Sequence, residues 1–233
     1  MHPDCKVILF LGRSNKAIEA GEPIHKQFTI AVVPMDTAGV EVIRPLHVFG
    51  YADAPHGHAE VSFQDVKIPE NSVLLGDGRG FEIAQKRLGP GRVHHCMRLI
   101  GMSERALDMT CERAKSRSPF GQTLAQNEVV LQQIGQSRAA VEQARLATMA
   151  AAHTMDIYGN KSARQHVSLI KAVVPTMACN VIDRAIQIHG GLGVSQDTVL
   201  SQFWTWARCL RLADGPDEVH LSSLGKHEIK RHT

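Results

Sequence analysis

Up to about residue 75 the apolar residues come in short runs with a period of two. KVILFLG (6–12), FTIAVVPM (28–35), VEVIRPL (40–46) and AEVSFQDVKI (59–68) are rich in β-branched and aromatic residues, and Gly, Pro and Asp-bearing turns separate them. In AEVSF, Val61 and Phe63 fall on one face while Glu60, Ser62 and Gln64 share the other, the alternation of a half-buried strand. After GDGRG (76–80) the period changes to 3.6. Over 163–189, Val167, Ile170, Val174, Met177, Val181, Ala185 and Ile188 recur every three or four residues, and over 127–158 Val130, Ile134, Val141, Ala144, Ala152 and Met155 do the same. At the rise of an α-helix the second segment is roughly 45–50 Å long, so it needs partners along its length. The links SRSPFGQTLAQN (116–127) and DIYGNKS (156–162) are short and carry Gly, Pro or Asn, which makes neighbouring helices antiparallel. The pattern predicts an α+β chain, with an antiparallel β domain over 1–75 followed by an all-α antiparallel helical bundle over 76–233.

Composition narrows the chemistry. A chain of 233 residues buries a real core, and its 26 Lys and Arg exceed its 23 Asp and Glu by only 26 − 23 = 3, with aromatics at 5%. That balance gives no nucleic-acid groove with stacking platforms, though a small positive surplus suits a phosphate-rich small molecule. The five cysteines are scattered without a CxxC pair, which fits reduced thiols in an intracellular setting. No run of about 18 apolar residues offers a membrane span. Met1 opens onto HPDCKVILFLG without the ordered regions of a signal peptide, and this opening resembles the middle of a strand. A metal site is not expected. His94 and His95 have no spaced third ligand, HGH (56–58) is isolated in a turn, and the one Glu-x-x-His, from Glu22 to His25, is interrupted by Pro23.

Three loops stand out. In RLADGPDEVHL (211–221), local rules make Asp214 or Gly215 the cap of a helix that begins with Pro216, with Asp217 and Glu218 in its favourable first turn. In RLGPGRV (87–93), the glycines and Pro90 break one helix and start the next. Arg92 then sits in a first turn, where a cation wants an anionic partner. QIHGGLGVSQD (187–197) follows a helix and lacks the third spaced glycine of a dinucleotide fingerprint, so nicotinamide binding is not supported. Locally, Gly190 or Gly191 is a helix C-cap in the left-handed region, and Arg117 is a basic residue ending a helix before Pro119.

Four segments in order resemble the acyl-CoA dehydrogenase family, flavoenzymes that form an α,β double bond in acyl-CoA thioesters. VSFQDVKIPENSVLLGDGRGFEIA resembles the exit from the family's middle domain, RSPFG (117–121) its Arg-x-x-Phe-Gly turn, QIHGGLGVSQD its Gln-x-x-Gly-Gly-x-Gly loop, and LADGPDEV its catalytic segment. The resemblance covers nearly the whole chain and implies that 1–75 is a partial middle domain, since family members carry further sequence before it. GPGR before a long helix and ADGPDEVH near the end are most similar to a branch whose longer members carry a kinase-like domain and act in hydroxyacyl-CoA breakdown.

Removing hydrogen from two adjacent carbons takes a base for the α-proton and an acceptor for the β-hydride, and no side chain accepts hydride. The resemblance therefore implies FAD as cofactor and an acyl-CoA substrate. A carboxylate in a poorly solvated site is a stronger base, and by register that residue is Asp214, where most of the family has Glu. The family's other base position aligns with Gly91. By the same register, Gly91, Arg92 and Gly215 meet substrate, the Gly215 backbone at the thioester oxygen and Arg92 at a coenzyme A phosphate or the carbonyl region. The resemblance also implies that Arg117 reaches the flavin's pyrophosphate across a subunit interface with Phe120 packing nearby, and that Gln187, Gly190 and Gly191 approach the adenosine diphosphate part. Pro216 and Glu218 stand where the family touches adenosine through Thr and Gln, and Glu128 stands where many relatives have Gln. The resemblance further implies homodimers or homotetramers, electron transfer to an electron-transfer flavoprotein or another acceptor, and a mitochondrial or peroxisomal location. The alternative is a catalytically inactive bundle that associates with longer relatives.

Overall fold

The computed structural model describes residues 2–53 and 57–232. His56 of the HGH turn lies outside them. The described chain forms two compact units, 1–87 and 88–233.

In the first unit, β1 (Val7–Arg13) pairs antiparallel with β2 (Phe28–Pro34), and β3 (Val40–Leu46) with β4 (His58–Phe63). All four predicted runs become strands, although the fourth ends at Phe63 and not near Ile68. Between β1 and β2 the chain makes a short helix, α1 (Asn15–Glu19), whose first turn is capped when the Ser14 hydroxyl accepts from the Ala17 amide. Ile30, Ala31 and Val33 of β2 are buried, and the Phe10 and Phe63 rings meet at 4.7 Å between the two sheets.

Helix α2 (Gly80–Ser116) starts in the first unit and continues through the second. The predicted break at RLGPGRV does not occur. Pro90 removes the donor that would bond the Lys86 carbonyl, yet the residue before it is Gly89, with no Cβ to clash with the proline ring. Downstream, Cys96, Leu99, Ile100 and Ala106 are buried in the core, and this packing outweighs the lost hydrogen bond. Gly89 has a second reason to be glycine, because a Cβ there would run into the Asn160 amide.

The bundle continues with α3 (Glu128–Ser162), α4 (Arg164–His189), the single turn α5 (Gly191–Val194), α6 (Leu200–Cys209) and α7 (Asp217–Arg231). Asn127 caps α3 by accepting from the Val129 amide. Gly159, in the predicted link DIYGNKS, leaves helical geometry at φ 79°. The predicted stripe of α4 is the centre of the core. Val167, Ile170, Val174, Val181 and Ala185 are buried, and α4 packs against α3, α6 and α7. Glu104 of α2 binds Arg138 at 2.8 Å and also Arg145, tying α2 to α3. No helix among the described residues is long and apolar enough to cross a membrane.

Candidate active site

The turn between α6 and α7 carries two consecutive residues with positive φ, Asp214 at 58° and Gly215 at 105°. A left-handed aspartate is uncommon, and here the surroundings hold it. The Arg92 guanidinium donates through Nε to the Asp214 carbonyl at 2.9 Å, and His220 Nε2 lies 3.4 Å from the same oxygen. The fully buried Lys171 ammonium donates to the carbonyls of Leu210, at 2.5 Å, and Ala213, at 2.9 Å. Three basic groups from three helices thus fix the backbone on either side of the carboxylate. Gly215 could not readily be another residue, since a Cβ on it would lie 2.9 Å from His220 Nε2.

The Asp214 side chain points back to α2. Its Oδ2 lies 2.9 Å from His95 Nε2, and the position a Gly91 Cβ would occupy is 3.7 Å away. The two positions that register marks for a catalytic base therefore face each other, one holding the carboxylate and the other empty of side chain. The surroundings of the carboxylate are partly shielded from solvent and basic. Both Asp214 and His95 are about one-fifth exposed, and Arg92, His95, Lys171 and His220 surround the turn. Burial holds the Arg92, Lys171, His95 and His220 values below their ordinary ones, with Asp214 acting in the opposite direction on Arg92, Lys171 and His95 by its charge.

Two local expectations are corrected here. Arg92 lies inside α2 and not in a first turn, so its partner is a backbone carbonyl and no helix-dipole argument applies. Pro216, at φ −67° and ψ 161°, is the N-cap of α7, which leaves Asp214 and Gly215 outside the cap and begins the helix at Asp217. Asp217 is buried, with Oδ2 2.7 Å from Arg211 Nε, whereas Glu218 is exposed in the first turn.

A second cluster forms a cavity of about 360 Å³ lined by Arg113, Arg117, Gln187, Gly190, Gly191 and neighbouring residues. Arg117 and Gly190 each serve two purposes. The Arg117 amide closes the end of α2 on the Arg113 carbonyl, and Gly190 caps α4 by donating to Ile186 and Gln187. Gly190 has φ 65° and ψ −139°, a region that only glycine enters freely and that differs from the left-handed helical cap expected. Open space faces both Gly190 and Gly191, since a Cβ on either would meet nothing within 4 Å. Among the described residues the buried Arg113 Nε has no hydrogen-bond partner. Two guanidinium groups, one with an unused buried donor, beside an open glycine wall fit a phosphate-bearing cofactor such as FAD. Phe120 is not in this lining. Its φ is 56° and its side chain is fully exposed at 106%, so it packs on nothing among the described residues. Pro216 and Glu218 are likewise outside it, and Glu128 is exposed at the start of α3.

Residues 78–229 match the family model for the C-terminal domain of acyl-CoA dehydrogenases. The chain belongs to the acyl-CoA dehydrogenase family. It is 53% identical over 99% of its length to acyl-CoA dehydrogenase family member 10 of Mus musculus, covering 21% of that protein. Against family member 11 of Rattus norvegicus it is 50% identical over 98% of its length, covering 29% of the relative. A solved Mycobacterium abscessus structure described as an acyl-CoA dehydrogenase superposes with a TM-score of 0.95 at 46% identity, with 100% of this chain and 56% of that one covered. The chain thus spans a quarter or so of these curated relatives and about half of the solved one.

The sequence pattern set His95 aside as a metal ligand and did not single out Lys171. His95 lies four residues after Gly91 and shares its helix face, which was a usable signal once Gly91 had been singled out. Lys171 interrupts the apolar stripe of α4 between Ile170 and Val174, and a lysine inside such a stripe announces a buried partner.

Proposed function

We propose that this chain carries the proton-abstracting half of an FAD-dependent acyl-CoA dehydrogenase that forms the α,β double bond of acyl-CoA thioesters in fatty-acid breakdown. One observation carries the reading: the Asp214 carboxylate is held by its backbone and by His95 directly opposite the side-chain-free Gly91. Asp214 takes the proton from the α-carbon, and the electron pair of that C–H bond remains with the substrate as its double bond forms. Arg92, Lys171 and His220 keep the turn in the one conformation that presents the carboxylate, which offsets the methylene that aspartate lacks relative to glutamate. The Gly215 amide follows the base in the chain and would donate to the thioester oxygen. Bound FAD would supply the hydride acceptor. Arg113 and Arg117 would hold its phosphates and Gln187, Gly190 and Gly191 its adenosine side, with the exposed Phe120 covered by a second copy of the chain in a dimer or tetramer. Glu218 remains able to accept from a ribose hydroxyl. By resemblance, electrons leave for an electron-transfer flavoprotein or a similar acceptor, within a mitochondrion or peroxisome.

The test is reconstitution. The chain incubated with FAD should emerge yellow from gel filtration and bleach when an acyl-CoA is added without oxygen, and Arg117→Ala should weaken flavin retention. A protein that stays colourless at excess FAD would overturn the reading.

A further inference from the structure

The contacts of His95 determine which of its nitrogens carries the proton. Arg98 NH2 lies 2.8 Å from His95 Nδ1, and a guanidinium only donates. Nδ1 must therefore accept, which excludes both the Nδ1–H tautomer and the doubly protonated ring. The single imidazole proton is on Nε2, facing Asp214 Oδ2 at 2.9 Å.

We propose that His95, locked by Arg98 into its Nε2–H tautomer, is a positioning residue for Asp214: it donates to Oδ2 and leaves Oδ1 as the oxygen that receives the substrate proton. The inference rests on Asp214 being the base, as proposed above. It assigns to His95 and Arg98 the orientation of the carboxylate about its own bond, a freedom that the backbone contacts of Arg92, Lys171 and His220 leave open. Without the Nε2 donor, both oxygens exchange places and the basic one is aimed at substrate only part of the time.

The charged and titratable groups around His95 agree with this assignment. On its own helix are Arg92, His94 and Arg98, on α4 Lys171, on the turn Asp214, and on α7 His220 beside the turn. Burial and the charges of Arg98 and Lys171 favour the neutral ring, while Asp214 opposes them.

Two-bond proton–nitrogen NMR spectra of the imidazoles in this chain, without ligand, read the tautomer directly. The wild type should show His95 protonated on Nε2 alone at neutral pH. Arg98→Met should mix the two tautomers and move the His95 titration to higher pH, Arg98→Lys should restore the wild-type pattern, and Asp214→Asn should move the titration lower. An Nδ1–H ring in the wild type overturns the proposal, and this spectrum needs no variant to fold. In the flavin-loaded protein, Arg98→Met should slow reduction by acyl-CoA on the order of tenfold, within the hundredfold that a misplacement near 1 Å costs, and should shift its pH profile. Mixed tautomers with an unchanged rate and profile would remove the positioning role. A wild type that shows the Nε2–H ring but is never reduced would instead sink the functional reading while the His95 geometry stands.

Discussion

Gly215→Ala puts the geometry of the catalytic turn under direct strain. At φ 105° a residue with a side chain leaves its allowed regions, which costs on the order of 1–3 kcal/mol. The new Cβ would also stand 2.9 Å from His220 Nε2, so the imidazole must rotate away from the Asp214 carbonyl. Together these effects place the loss near 2–3 kcal/mol. In a chain of this size about 2–4 °C is lost per kcal/mol, so the melting midpoint should fall by roughly 4–12 °C. Thermal unfolding followed by circular dichroism measures this, with urea unfolding as a second estimate. Gly225→Ala is the matched control, because Gly225 lies inside α7 and a Cβ there meets nothing within 4 Å. That change should stabilise by about 0.5–1 kcal/mol through helix propensity alone. If Gly215→Ala unfolded at the wild-type midpoint, the left-handed turn and its contact with His220 would not exist as described.

The cysteines should divide by burial. A maleimide followed by mass spectrometry should label exposed Cys5 first and leave Cys96 and Cys179 unmodified until unfolding, since burial pushes the Cys96 thiol up to about 12 and also raises Cys179. Early labelling of Cys96 would contradict the packing of α2 against α4. Stability should depend on pH through His95 and His220, both held below the ordinary imidazole value chiefly by burial. As pH falls below about 6.5 the unfolded chain takes up protons first, so their contribution is complete above that value and is lost as pH descends toward the folded values. Urea midpoints measured from about pH 7.5 down to 5.5 should therefore decrease. A replacement of both histidines by leucine should flatten the part of the slope they cause, and a midpoint that rises on acidification would reverse the assigned signs.

The fold was legible wherever its causes are local. The strand over AEVSF, the three-and-four spacing of Val167, Ile170 and Val174, and the glycine in DIYGNKS each act within a few residues and appear where expected, although Ser62 is as partly buried as Val61 and Phe63. The helix through Gly89, Pro90 and Gly91 was not legible, because what preserves it is the burial of Cys96, Leu99 and Ile100 against distant helices. The same division holds for the sites. Asp214, Gly91, Arg92 and Gly215 were singled out by register, and the structure brings them together at one turn. Arg117, Gln187, Gly190 and Gly191 likewise share one cavity, but Arg113 joins them only because α2 ends beside α4's cap. His95 and Lys171 take their meaning from Asp214 and the carbonyls of Leu210 and Ala213, far along the chain, so no window of sequence contains the relation. Phe120, which register places beside a flavin at a subunit interface, is fully exposed among the described residues.

The central claim, that Asp214 removes the substrate proton, is tested most directly by rapid anaerobic mixing of an acyl-CoA with the flavin-loaded chain and with its Asp214→Asn variant. The account predicts that the wild type loses its yellow absorbance on mixing, while the variant folds, keeps its flavin and stays oxidised. Reduction of the Asp214→Asn flavin at the wild-type rate would contradict it.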